Sequence, residues 1–216
     1  MSTEFAIAEV FPGKLNALVK NIMRQTGETD PNEAVRLVNS GEWVVSKLIR
    51  SWREEDGVIR FSVTSDGTPG VGWITRLEGK GFRLEYYYAK RVLCSSSFKQ
   101  TSGVTTEVAV LPGSFFKDND RHTAKIRDEA KKRKLVTPNA ELACLIREKF
   151  GDDEIEAMGL WYIVAMHEPI NDSDGNPLLL YTSRGGGGRQ FAAFLDRPVF
   201  RSWSCAIGFA FAVSPQ

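Results

Sequence analysis

LWYIVAMHEPINDSDGNPLLLYTSR, Leu160–Arg184, is the stretch that decides the fold. Two apolar runs, Leu160–Met166 and Leu178–Ser183, have the length of strands and are separated by a cluster of turn formers. They predict a buried β-hairpin. The connection carries His167, one of two histidines in the chain, with Glu168, Asn171, Asp172 and Asp174. A histidine beside carboxylates is what a divalent metal or a general acid–base pair requires. His167, Glu168, Asp172 and Asp174 are therefore the candidate catalytic groups. Asp172-Ser173-Asp174-Gly175 opens like a calcium loop, but such a loop needs glycine sixth and glutamate twelfth. Here glycine is fourth and the twelfth position is Ser183. The plainer reading of the connection is a tight polar turn, because Asn, Asp, Ser and Gly satisfy local backbone groups.

The second hairpin strand runs into Arg184-Gly-Gly-Gly-Gly-Arg189. Glycines let N–H groups crowd an anion, and Arg184 and Arg189 could grip phosphate or carboxylate. The segment matches neither a P-loop nor a dinucleotide fingerprint, and a surface loop is the bland alternative. A simple hairpin sets Arg184 at the edge opposite His167, so the two features should not share a site. Further on, Ile207, Phe209, Phe211 and Val213 alternate with Gly208, Ala210 and Ala212. This is a strand whose small face needs something packed close against it.

Upstream, the chain reads as helical. Lys117 to Lys134 holds eight basic and four acidic residues, ending in Lys131-Lys132-Arg133-Lys134. A helix capped by Asn119 or Asp120 should run to about Lys134. Another follows Thr137-Pro138 with Leu142, Leu145 and Ile146 on one face. A short third, capped by Asp152-Asp153, should stop at Gly159. The basic helix invites comparison with helix-turn-helix readers, making Lys131, Lys132, Arg133 and Lys134 candidate ligand contacts. The next helix, however, offers Asn139 and Glu141 where base-reading groups should be. Cations at a helix end also simply oppose the macrodipole.

Nearer the start, Leu15, Leu18, Val19, Ile22 and Met23 form one helix face. Asp30-Pro31 opens a second helix to about Asn39, and Trp43–Trp52 suggests a third. Ile59, Phe61 and Val63 alternate with Arg60, Ser62 and Thr64 as a strand. Trp73, Ile74 and Leu77 fit a helix, Leu84, Tyr88 and Val92 another, and Val104–Leu111 a strand. Within Tyr86-Tyr87-Tyr88, core packing with a polar tip competes with stacking on bases. The class is α+β: a helical N-terminal layer, then a mixed or antiparallel sheet covered on one side by helices, ending in C-terminal antiparallel strands. One domain is expected over 1–216, with a candidate boundary near 53–57.

Bulk composition excludes more than it assigns. Formal net charge is +1, so no global field favours nucleic acid or membranes. The N-terminus lacks a basic n-region, no apolar run could cross a membrane, and Cys94, Cys144 and Cys205 are few and far apart. A soluble cytoplasmic protein is expected. No zinc spacing and no nucleophile elbow occurs, so no metal or cofactor is expected from a motif. The runs DNDRHTAKIRDEAKKRKLVTPNAELACLIREKF, DDEIEAMGLWYIVAMHEPINDSDGNPLLL and EAVRLVNSGEWVVSK resemble a group of hypothetical proteins of uncultured small-genome bacteria. That resemblance implies a bacterial protein and carries no functional residue.

Two functions follow as expectations. The first is an intracellular binding or regulatory module, with nucleic acid as a candidate partner through the basic helix. The second is a small hydrolase or metal-dependent enzyme built on the connection 167–174. Convergence of His122, His167, Asp172, Asp174, Arg184 and Arg189 on one concavity would favour the enzyme, and dispersal the module.

Overall fold

The computed structural model describes residues 19–20, 22–23, 27–42, 51–85, 87–184, 189–196 and 202–214. The chain divides into two compact units, Met1–Arg50 and Ser51–Gln216. In the first unit, helix α1 spans Pro31–Asn39, and the Asp30 side chain accepts the Asn32 N–H at 2.9 Å as the capping pattern requires. Val19 and Ile22–Met23 of the first helix face are helical, whereas Leu15 and Leu18 lie outside the described residues. Most of the expected third helix, including Trp43, Val44 and Leu48, lies outside them too. Its last residue, Trp52, is buried beside the first strand of the second unit.

The second unit is an open mixed sheet with helices on both faces. Strands β1 (Arg53–Glu55) and β2 (Val58–Asp66) form a hairpin in which Glu55 pairs with Val58. Asp56 and Gly57 both take positive φ, 50° and 72°, the conformation a two-residue hairpin loop demands and Asp-Gly supplies. Residues 53–57 are thus a hairpin. Helix α2 (Gly70–Gly79), strand β3 (Arg83–Leu84) and helix α3 (Ala89–Cys94) follow. The single helix expected through Leu84, Tyr88 and Val92 is corrected here. Leu84 pairs with Phe191 in the sheet. The Glu85 carboxylate then accepts the N–H groups of Tyr87 and Tyr88 at 2.7 Å and of Ala89 at 3.0 Å, so the helix starts only there.

Strand β4 (Ser102–Pro112) precedes α4 (Thr123–Lys132), the short β5 (Leu135–Val136), α5 (Glu141–Lys149) and α6 (Asp152–Ala157). The basic helix begins later than its expected Asn119 or Asp120 cap. Asp118–Asp120 is a 3-10 turn instead, and Arg121 is tied to the Trp203 carbonyl at 2.8 Å. The expected hairpin then forms. Strand β6 (Tyr162–Ala165) runs antiparallel to β8 (Pro177–Ser183), with Tyr162 opposite Ser183 and Val164 opposite Tyr181. A two-residue strand β7 (Ile170–Asn171) pairs again with the start of β8. Strands β9 (Gln190–Leu195) and β10 (Ile207–Val213) complete the order β1-β2-β4-β10-β6-β8-β9-β3, with β5 against β10 and β7 against β8. Strand β10 is antiparallel to β4 but parallel to β6. The antiparallel C-terminal expectation therefore holds for β6, β8 and β9, and the β6–β10 pair departs from it.

Alternation sends each strand's residues to two cores. Ile59, Phe61, Val110, Ile163, Leu180 and Phe191 face one side, where Trp73 and Leu77 of α2, Val92 of α3, Ile146 of α5 and Ile155 of α6 cover them. Leu111, Val164, Leu179, Phe209 and Phe211 face the other, met by Ile126 and Ala130 of α4 and by an aromatic wall. In that wall Phe194 stacks on Tyr181 at 3.9 Å and meets Trp203 at 5.8 Å.

The small face of β10 has the close neighbours its composition demands. A Cβ on Gly208 would lie 2.6 Å from Val110 Cγ1 and 2.7 Å from Leu160 Cδ1. Gly208→Ala should therefore lower unfolding free energy by about 1–3 kcal/mol, the usual cost of overpacking. Gly79→Ala, where a Cβ meets nothing within 4 Å, should be neutral or stabilising by a few tenths of a kcal/mol. Urea denaturation of the two variants checks the contrast.

Candidate functional site

The hairpin connection is a structural joint. His167 is 1% exposed. Its Nδ1 sits 2.7 Å from the Glu168 carbonyl and its Nε2 accepts the Leu180 N–H at 3.0 Å. Those contacts fix the neutral tautomer with the proton on Nδ1. Burial pushes the His167 pKa down from 6.5 to about 4, and the nearby Arg127 cation adds to the drop, while the Glu168 carbonyl opposes it. Arg127, from α4, donates to the Met166 carbonyl at 3.2 Å and the His167 carbonyl at 2.8 Å. With both ring nitrogens engaged by backbone, His167 has none left for a metal or substrate proton.

Asp172 is likewise committed. Its Oδ1 accepts the N–H groups of Asp174 and Asn176, both at 2.9 Å, and its carboxylate also accepts from the Asn176 side-chain amide. Slight desolvation pushes its pKa up, but the Asn176 hydrogen bonds outweigh that and hold it below the usual carboxylate value. This is the capped turn that joins β7 to β8. Asp174 is exposed at the tip of the same turn. Among the described residues no three His, Cys, Asp or Glu side chains cluster as a metal ion requires.

At the opposite end of the hairpin, Arg184 donates Nε to the Leu160 carbonyl at 2.8 Å, pairs with Glu156 at 3.0 Å and lies over the Trp161 ring at 4.5 Å. Arg189 donates its N–H to Asp152 Oδ2 and its Nη2 to the Lys80 carbonyl, both at 2.7 Å. Arg147, on α5, is 0% exposed. It donates to the Ser183 and Phe150 carbonyls and pairs with Asp152 Oδ1 at 3.1 Å. Burial lowers its guanidinium pKa and the Asp152 carboxylate opposes that shift. Gly185–Gly188 lies outside the described residues. His122 stands at the N-cap position of α4 without a side-chain capping bond, and its Nδ1 is buried without a partner among the described residues.

The basic run splits. Arg133 pairs with Glu129 at 2.9 Å and covers the Phe115 ring at 4.3 Å, and Lys132 reaches the same carboxylate at 3.5 Å. Lys134 takes φ of 59° just beyond the helix end and is exposed. Lys131 points elsewhere: with Arg127, Thr137, Glu168 and Asp196 it lines a cleft of about 280 Å³ floored by Phe211. A second concavity, of about 400 Å³, adjoins it across Glu168-Pro169 and includes Lys99 and Asn139. Strands β6, β9 and β10 run in one direction. The cleft therefore lies at three parallel carboxyl ends, the edge where open sheets with helical crossovers bind ligands.

Glu168 and Lys131, both singled out from sequence, thus line one cleft, while His167, Asp172 and Asp174 serve the joint and Arg184 and Arg189 serve the far edge. Sequence reasoning missed Asp196 and Arg127. The one sequence signal for Asp196 is a carboxylate ending the apolar run Phe191–Leu195. No family model, curated protein or solved structure matches the chain.

The His167 joint has a pH signature. The unfolded chain takes a proton at His167 near pH 6.5, whereas the folded chain resists until about pH 4. Stability from this group is therefore fully present above pH 6.5 and is lost as pH falls toward 4. The gap corresponds to about 3 kcal/mol. His167→Leu should be less stable at pH 7, yet show a flatter stability profile between pH 6.5 and 4 in urea titrations. An unchanged profile would refute the assignment.

Proposed function

We propose that the protein is a binding module for a small polar ligand, held in the cleft between α4 and the carboxyl ends of β6, β9 and β10. The observation that carries this reading is that Lys131 and Glu168 line one cleft. Each is exposed, and neither side chain has a hydrogen-bond or ion-pair partner among the described residues. Charges that the fold does not use, gathered on a concave surface, are what orients a ligand. Dispersal of the other polar groups supports binding over catalysis, as does His167, whose imidazole is consumed by backbone. The buried Cys144 offers no nucleophile, since burial pushes its thiol well above its ordinary pKa.

The nucleic-acid version of the module has less support. Two of the four terminal cations of α4 are spent on Glu129, so the helix presents no continuous cationic stripe. We place the protein in the bacterial cytoplasm as part of the same reading. Its three free cysteines support this, and among the described residues no helix is long and apolar enough to cross a membrane.

Thermal melting with single additions of phosphate, simple carboxylates, 2-hydroxy acids and amino acids tests the proposal. A ligand at ten times its Kd should raise Tm by about 3 °C, and Lys131→Glu should abolish the shift. A flat panel, together with salt-sensitive binding of mixed RNA or DNA that is lost when Lys131–Lys134 are neutralised, would overturn it in favour of nucleic acid.

A further inference from the structure

The same cleft holds a carboxylate that the fold leaves unsatisfied. Asp196 follows the last residue of β9, and its N–H donates to the Pro177 carbonyl at 2.8 Å, which anchors its backbone at the head of β8. The residue is 8% exposed and lines the cleft. Its Oδ1 is buried with no hydrogen-bond partner among the described residues. Arg127, on the same wall, gives both terminal nitrogens to the Met166 and His167 carbonyls. Lys131, the other cation of that wall, forms no ion pair with Asp196. Asp196 forms no ion pair among the described residues, and a carboxylate at a cleft without a cation beside it is a place where a ligand's positive charge belongs.

We infer, building on the reading of this cleft as a small-ligand site, that Asp196 recognises an ammonium group and Lys131 a carboxylate, so that the ligand is a small zwitterion of the α-amino-acid type. An ammonium supplies the charge opposite to the Asp196 carboxylate, and charge-assisted bonds of this kind are the strong ones. A divalent cation fits poorly, because it needs several oxygen ligands and Lys131 stands on the same wall. Ala130, Leu135 and Phe211 line the remaining wall with apolar surface, which suits an aliphatic or aromatic side chain. Arg127 keeps its place as a positioning residue: by holding the two carbonyls it fixes Glu168-Pro169 as the rim.

Calorimetric titration at pH 7 tests this with the twenty protein amino acids and with matched 2-hydroxy acids, such as lactate for alanine and phenyllactate for phenylalanine. The hydroxy acids keep the carboxylate and replace the ammonium by a hydroxyl. At least one amino acid should bind, and its hydroxy acid should bind about tenfold or more weakly, as expected where a buried charged group loses its partner. Asp196→Asn should weaken the amino acid to a similar degree. Without ligand that variant should melt close to the wild-type temperature, because the carboxylate it neutralises has no ion-pair partner among the described residues. Equal binding of amino and hydroxy acids, or full affinity in Asp196→Asn, overturns the inference and leaves the cleft reading standing if Lys131→Glu still abolishes binding. Binding of phosphate or simple carboxylates with no amino acid bound likewise overturns the inference and spares the cleft. Binding of none of these probes overturns both. The amino-to-hydroxy comparison uses the unmodified protein, so it decides even if Asp196→Asn fails to fold.

Discussion

The acceptor that His167 offers to Leu180 is the contact on which the middle of the sheet depends. Strand β6 pairs with β8 as far as Val164 opposite Tyr181, and β7 resumes at Ile170 opposite Leu178. Between these points β8 spends two residues and the other chain spends five. A gap of that kind leaves the Leu180 N–H facing a strand that has left the ladder. A buried N–H without an acceptor would cost about 1–3 kcal/mol. The imidazole Nε2 stands in for the missing carbonyl, and Arg127 satisfies the two carbonyls that the departing strand exposes. One side chain from the connection and one from α4 thus close the backbone accounting of the irregular segment.

That joint also sets where α4 lies. Arg127 can reach Met166 and His167 only if the helix crosses the sheet near the end of β6, and Ile126 and Ala130, on the same helix, then drop onto Phe209 and Phe211. The opposite face is covered by α2, α3, α5 and α6 against the smaller residues of β10. The large odd-numbered side chains of β10 and its small even-numbered ones therefore match two covers of different depth. The parallel pairing of β6 and β10 aligns their carboxyl ends beside α4, and the cleft is the space left where helix and strand ends diverge.

Much of this was legible because periodicity and turn chemistry act locally. The alternation of Ile59, Phe61 and Val63, the Asp30-Pro31 cap and the two hairpin runs each state a local preference that packing then keeps. The Asp56-Gly57 loop was equally local, and its two positive φ angles are what that dipeptide supplies; the division into two compact units falls just before it, between Arg50 and Ser51. What escaped was non-local. Leu84 reads as part of a helix until Phe191 offers it a strand partner. The parallel β6–β10 pairing joins residues more than forty positions apart. His167 and Asp172 look reactive in sequence because the groups that occupy them are backbone N–H and C=O, which a sequence does not display. Asp196 looked ordinary for the converse reason: a missing partner is visible only once the neighbours are in place.

The two ends of the hairpin differ in how their charges are used. At the Arg184 end, charge is abundant but committed. Arg184 has Glu156, Arg189 has Asp152 and the Lys80 carbonyl, and the buried Arg147 has Asp152 and two carbonyls. Those contacts hold α6, β9 and the end of β8 together, and a ligand anion would have to displace a carboxylate or a backbone acceptor to enter. At the Glu168 end the accounting is reversed. Arg127 and His167 engage the Met166, His167 and Glu168 carbonyls and the Leu180 N–H, and the charges of Lys131, Glu168 and Asp196 are left without ion pairs among the described residues around one cleft. Charges that no fold contact uses, beside a concavity, are what a ligand can engage, whereas committed charges must first be released.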